Sequence, residues 1–184
     1  MLKEIRLHGR GGQGVVTAAE LLAAAAFEDG KYAQAFPSFG SERMGAPVQS
    51  FVRIADRKVR ARNQVDSPDY LIIQDYTLIG AVDVLSGLKE DGMVIVDTTK
   101  NPQELALKTK AEILTIPATD IALKILGKAI QNTTLIGAFA GATGLISVDA
   151  IKRSVKKRFP GELGEKNARA VQTAYDRMRG GKNG

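Results

Sequence analysis

Gly9, Gly11 and Gly14 stand at G-x-G-x-x-G spacing in the run Gly9-Arg10-Gly11-Gly12-Gln13-Gly14, between an alternating segment and an alanine-rich one. Glycines so placed permit a tight turn and let backbone approach a ligand. The free N–H groups and positive end of the helix that follows attract a phosphate or carboxylate. Arg10, inside the run, offers either an always-charged fork for that anion or a plain surface cation. A dinucleotide site also needs an acid for the ribose hydroxyls, about 20 residues on at the end of the second strand. There the chain has Ala35-Phe36-Pro37, with Glu28 and Asp29 too early and Glu42 too late. Anion binding without NAD is therefore favoured over a dinucleotide site and over glycines that serve only helix-on-strand packing.

A second candidate is the loop 37–47, which carries Ser38, Ser41, Glu42, Arg43 and Gly45 without an apolar period. In open parallel sheets ligands sit where loops leave the carboxyl ends of strands, and this loop leaves the second strand there, facing the glycine run. The alternative is a plain connection shaped by its prolines and glycines. His8 closes the first strand beside the run. With no nucleophile in sight to activate, it reads as a packed, hydrogen-bonded residue. Walker lysine, G-x-S-x-G elbow, H-E-x-x-H helix and the Gly-Asp-Gly signature of thiamine diphosphate sites are all missing. The residues alone describe an anion-binding α/β domain without a self-contained catalytic apparatus.

The elements that must position these residues follow from periodicity. Alternation over 3–7 predicts a strand and the alanine-rich 15–28 a helix, ended by Asp29-Gly30. A second strand over 31–36 completes a parallel crossover. Alternation over 48–54, a turn at Asp56-Arg57 and a return over 58–62 predict a β-hairpin. The apolar runs 70–73 and 93–96 suit strands buried on both faces, with a helix over 78–88 between them and a last strand over 112–116. Thr119-Asp120 reads as a helix N-cap, and helices follow over 121–126, 134–145, 149–158 and 164–178. The expected fold is α/β: a single Rossmann-like domain, residues 1–184, with a largely parallel sheet, a β-hairpin addition and a helical C-terminal layer. Residues 180–184 are expected to fray.

Composition agrees with one folded domain: 184 residues, 44% hydrophobic and 25% charged. There is no cysteine, hence no thiolate for an iron–sulfur cluster and no disulfide, and the one histidine excludes a multi-histidine metal site. Trp is absent and the ten Phe and Tyr are scattered, which argues against a nucleic-acid platform. The longest apolar stretch, 21–27, is far below the roughly 20 residues that cross a bilayer. The opening Met1-Leu2-Lys3-Glu4 has no signal-peptide pattern, so a cytoplasmic protein is expected. The net charge of +6 is concentrated in residues 151–184, with ten Lys and Arg against three Asp and Glu, a pattern that most often marks a solvated helix face.

Two segments carry a family likeness. The run Gly9-Arg10-Gly11-Gly12-Gln13-Gly14-Val15-Val16, together with 36–48, which holds Ser41-Glu42-Arg43-Met44-Gly45-Ala46-Pro47, resembles the gamma subunit of the 2-oxoacid:ferredoxin oxidoreductases. The Ser-Glu-Arg-x-Gly-Ala-Pro form is more similar to the pyruvate and branched-chain members than to the 2-oxoglutarate members. The resemblance implies a role in oxidative decarboxylation, in which a 2-oxoacid, coenzyme A (CoA) and oxidised ferredoxin give acyl-CoA, carbon dioxide and reduced ferredoxin. It also implies alpha, beta and delta partner subunits, with thiamine diphosphate (TPP) between alpha and beta and the Fe–S clusters on beta and delta. CoA is then the anion for the glycine run, with Gly9, Arg10, Gly11, Gly12, Gln13, Gly14, Ser38, Glu42, Arg43 and Gly45 in ligand contact or subunit docking. No residue is expected to be catalytic, and the isolated chain is expected to be inactive and able to self-associate. The alternatives are a free-standing NAD(P)-binding protein and a non-enzymatic nucleotide-binding scaffold.

Overall fold

The computed structural model describes residues 1–38 and 43–181. Six strands form one sheet: β1 (Leu2–Arg10), β2 (Tyr32–Pro37), β3 (Pro47–Ala55), β4 (Tyr70–Ile73), β5 (Met93–Asp97) and β6 (Glu112–Ile116), in the order β2-β3-β1-β4-β5-β6. β1, β4, β5 and β6 pair in parallel, whereas β3 is antiparallel to both β1 and β2. β1 runs to Arg10, past its expected end, and so delivers Gly9 and Arg10 of the glycine run in extended backbone.

Helix α1 (Val15–Glu28) occupies the expected span and joins β1 to β2. β2 runs in the direction of β1, but β3 lies between them, so the crossover links strands that are not neighbours. The hairpin differs from expectation in its second arm. β3 pairs back on β2, and residues 58–62 form no strand among the described residues, because both edges of β3 are already taken by β1 and β2.

The helix expected over 78–88 is absent. Its place is taken by one 3-10 turn at Tyr76–Leu78 and successive tight turns. Gly80 (φ 88°) and Gly87 (φ 71°) adopt left-handed backbone that a continuous helix cannot contain. The segment still buries Leu78 and Val84 against Leu71, Ile73, Val94 and Val96, so its apolar residues cover that face without helical geometry.

On the other face lie α1 and four C-terminal helices: α2 (Ala118–Leu126), α3 (Asn132–Thr143), α4 (Val148–Arg158) and α5 (Glu162–Gly180). The expected N-cap of α2 moves back. Pro117 stands there, and the Asp97 carboxylate from β5 takes the capping role by accepting the Thr119 N–H at 3.0 Å. Helix α3 is buried nearly end to end, and a Cβ at Gly137 or Gly141 would collide with the Val171 or Tyr175 carbonyl of α5. These two glycines, four apart, let the helices approach at backbone distance. The tail expected to fray begins inside α5, whose last residue is Gly180; residues 182–184 lie outside the described residues.

Candidate functional site

β1 ends where the glycine run begins, so the turn out of the sheet fixes the site. Gly12 (φ 92°) and Gly14 (φ 71°) take left-handed backbone there. Gly14 is the N-cap of α1, and no side chain among the described residues caps that helix, so its first-turn N–H groups face the loop. The Gln13 side chain folds back to accept the Arg10 N–H at 2.7 Å, and the Gln13 N–H donates to the Arg10 carbonyl at 3.1 Å. Gly9 admits Val15 and the Gln13 amide where a Cβ would stand.

The two expected segments meet through backbone. The Gly11 N–H donates to the Ala46 carbonyl at 2.9 Å and the Gly45 N–H to the Gly11 carbonyl at 3.0 Å. A Cβ on Gly11 would collide with the Arg43 carbonyl, which explains the residue at that position. Met44, 87% exposed, lies over Gly12. Ser38 stays apart, its N–H held by the Gln49 carbonyl on β3. Glu42 lies outside the described residues.

Arg10 has a third role besides free fork and plain surface cation. Its Nη1 donates to the Gly45 carbonyl at 3.0 Å, its Nη2 to Thr77 Oγ1 at 3.0 Å, and its Nε lies 3.3 Å from an Asp75 carboxylate oxygen. The guanidinium thus ties the glycine run, the 43–46 turn and the exit of β4 into one body. Burial raises the Asp75 carboxyl, but bonds from Thr77 and Gln13 and the Arg10 charge outweigh it and hold its pKa below the ordinary aspartate value.

Beside this clasp a cleft of about 310 Å³ opens at the carboxyl ends of β4, β5 and β6. Gln13, Gln74, Asp75, Asp97, Lys100, Thr119 and Gln131 line it. Gln74 is 1% exposed, donates to the Gln13 carbonyl at 3.0 Å and leaves its Oε1 without a partner among the described residues. Burial pushes the Asp97 carboxyl above its ordinary pKa, against the bonds from Thr119. Apart from Gln13, sequence reasoning missed these cleft residues. The available signal was positional: Gln74, Asp97 and Thr119 each fall at or just beyond the end of an apolar strand run, where a parallel sheet presents its polar groups. Asn132, also missed, braces the loop from α3 by donating to the Gly14 carbonyl at 3.3 Å.

His8 is buried and neutral. Burial, then the neighbouring Arg6 charge, lowers its pKa to about 3, and its Nε2 accepts the Arg6 Nε–H at 3.0 Å. It packs, as expected, and has no route to solvent chemistry.

The sequence matches the pyruvate ferredoxin/flavodoxin oxidoreductase family over residues 4–177. The chain belongs to that family. It is similar to pyruvate synthase subunit PorC of Methanosarcina barkeri, at 59% identity over 84% of this chain and 85% of the relative. It is also similar to the common gamma subunit of the pyruvate/ketoisovalerate oxidoreductases of Pyrococcus furiosus, at 51% identity over 95% and 96%. Among solved structures, pyruvate oxidoreductase subunit PORC of Thermotoga maritima superposes with a TM-score of 0.84 at 40% identity, covering 95% of this chain and 96% of that one. The fold recurs, at 19% identity and a TM-score of 0.77, in a 2-oxoglutarate:ferredoxin oxidoreductase of Magnetococcus marinus, where it spans 31% of the longer chain. The implied family and the gamma type are thereby established, and its relatives are subunits of multi-subunit oxidoreductases. No helix of the described residues is long and apolar enough to cross a membrane. Among those residues no three His, Asp or Glu groups gather as a metal site.

Proposed function

We propose that this chain is the gamma subunit of a CoA-dependent pyruvate:ferredoxin oxidoreductase in the cytoplasm. In that enzyme pyruvate, CoA and oxidised ferredoxin give acetyl-CoA, carbon dioxide and reduced ferredoxin. Alpha, beta and delta subunits are its partners; they carry TPP and the Fe–S clusters, and ferredoxin accepts the electrons. Nucleic acid and membrane are not partners. The supporting comparison is the 59% identity to a pyruvate synthase subunit together with the Ser41-Glu42-Arg43-Met44-Gly45-Ala46-Pro47 form.

The chain's own contribution is to hold a CoA phosphate and to fit the complex together. Carrying this reading is the uncapped start of α1 beside the clasped loops. Its N–H groups offer an anion a preorganised seat, and Gly12 and Gly14 supply the left-handed backbone that shapes it, with Met44 and Asn132 packed against them. Arg10 acts here by holding the loops in place. Gly9, Gly11, Gln13, Arg43 and Gly45 shape the seat, with Ser38 and Glu42 on the flanking loop. The adenosine phosphate of CoA is the matching ligand, since the missing ribose acid disfavours NAD. The isolated chain is inactive and self-associates to cover surface that its partners occupy in the complex.

The test is anaerobic purification of a tagged copy from its native cells, with identification of partners and assay of CoA-dependent pyruvate oxidation. Recovery with TPP-binding and cluster-bearing chains and that activity supports the reading. Recovery of the chain alone, with NAD(H) retained or without oxoacid activity, overturns it. For the seat, Gly12→Val in the reassembled complex should raise the KM for CoA about tenfold and leave that for pyruvate within twofold. An equal rise in both would assign the loop to assembly.

A further inference from the structure

We infer that the amino end of β1, opposite the glycine run, is a docking surface for an acidic face on another subunit of the oxidoreductase. The inference rests on the reading of this chain as one subunit of a complex.

β3 ends at Ala55 on one side of β1 and β4 begins at Tyr70 on the other, so residues 56–69 must cross the amino end of β1. The far part of this strap is fixed. Val65 is buried, the Gln64 carbonyl accepts from Arg53 Nη2 at 3.2 Å, and the Pro68 carbonyl accepts the Lys89 N–H at 3.2 Å. Its first part carries Arg57, Lys58, Arg60 and Arg62, all exposed, and none makes a hydrogen bond or ion pair among the described residues. The adjoining carboxylate, Asp56, pairs with the amino terminus at 2.7 Å and feels the Arg57 charge only through space, without a contact at ion-pair distance. Some exposed cations find acids, as in Lys110–Glu90 and Lys156–Glu165, and others, such as Lys108, Lys124 and Lys128, have no such partner among the described residues; the strap differs in placing four of them within six residues. Four like charges within six residues repel one another, and an acidic face opposite them relieves that repulsion.

An apolar centre adjoins the charges. Leu2 and Tyr32 both register with Ala55, so the three side chains lie on one face of the sheet in a row across β1, β3 and β2. Leu2 is 50% and Tyr32 49% exposed, at the point where Ala55 leads into the strap. An apolar and tyrosine patch followed directly by arginine is the composition of a protein interface. Arginine forks match carboxylates in pairs, which selects an acidic protein face. A nucleic acid would gain little from Leu2 and finds no aromatic stacking row here.

The test uses the complex purified anaerobically through a tagged copy of the chain. The variant Arg57→Glu/Lys58→Glu/Arg60→Glu/Arg62→Glu is compared with the unaltered chain at about 0.05 M and about 0.5 M salt, either side of strong screening. At low salt the variant should recover at least about tenfold less of a sister subunit than the unaltered chain does. A milder variant, Arg60→Gln/Arg62→Gln, should give a partial loss with unchanged thermal unfolding. In the unaltered complex, carbodiimide should join the Lys58 amine to an Asp or Glu of that subunit. Equal recovery with the variants and no Lys58 crosslink overturns the inference and leaves the subunit reading intact. Recovery of the unaltered chain alone overturns both, and release of the captured chains by nuclease assigns the strap to nucleic acid and overturns the inference.

Discussion

At the carboxyl end of β1 Arg10 is gripped by Asp75, Thr77 and the Gly45 carbonyl, whereas at its amino end Arg57, Lys58, Arg60 and Arg62 make no hydrogen bond or ion pair among the described residues. Between the ends, Arg6 and Arg53 are buried and bonded. A cation with several fixed acceptors locks backbone into one geometry, which suits a preorganised loop. A cation with none keeps its field for whatever approaches. The two ends thus divide into a clasped loop and an edge of exposed charge, with a polar but closed sheet interior separating them.

The interior supplies the largest effect that sharpens this contrast. Unfolded His8 takes up a proton near its ordinary pKa of 6.5, while folded His8 resists until about pH 3. Between those limits the unfolded state binds the extra proton, so stability must fall as the pH is lowered through that window, by up to about 5 kcal/mol from this group. Urea unfolding of the isolated chain at successive pH values should show that slope, and His8→Gln should remove about one proton from it. An unchanged slope would mean that Arg6 and His8 are open to water.

Arg53 is next. It is 2% exposed, with its Nε 2.8 Å from the Glu4 carboxylate. Arg53→Ala leaves Glu4 half-buried without its cation and should cost about 3 kcal/mol in the same unfolding measurement. Arg53→Met, which restores volume with no charge to match, should cost no less if the ion pair matters more than packing. Gly11→Ala then tests the seat itself: the added methyl must push the Arg43 carbonyl away and break the Gly11–Ala46 hydrogen bond. A cost of about 2 kcal/mol is expected, with faster proteolysis next to Arg43. Asp75→Asn keeps the shape but removes the charge that faces Arg10, for a cost of about 1 kcal/mol that shrinks in salt.

Much of this contrast was legible in the sequence, and the missing parts share one cause. The glycine run, α1 and the strands β4 and β6 declare themselves through local pattern: Gly9 to Gly14 through spacing, Tyr70 to Ile73 through an unbroken apolar run. The partner of β3 did not, because pairing is decided by which edges remain free, and 58–62 looked as able to pair as 32–37. The false helix over 78–88 had the right apolar content, yet Gly80 and Gly87 set its backbone. Asp75, Asp97 and Gln74 were invisible as site residues because only the parallel register brings the ends of three strands to one cleft. Arg10 was legible as a cation but not as a clasp, since its acceptors come from residues 45, 75 and 77.

The smallest expected effect cuts the contrast most cleanly. Replacing Arg57, Lys58, Arg60 and Arg62 by Gln removes no hydrogen bond and no ion pair seen among the described residues, so the stability of the isolated chain should change by less than about 0.5 kcal/mol. The sign should be slightly favourable, because four mutually repelling charges are removed, and the gain should fade as salt rises. Arg10→Gln, one substitution at the other end, should cost more than all four together, because it frees Asp75 and the Gly45 carbonyl at once. Chemical unfolding of both variants at low and high salt measures the two effects directly. If the strap variant lost the more stability, its cations would be bracing the fold, and the division into a fixed seat and a free edge would have to be given up.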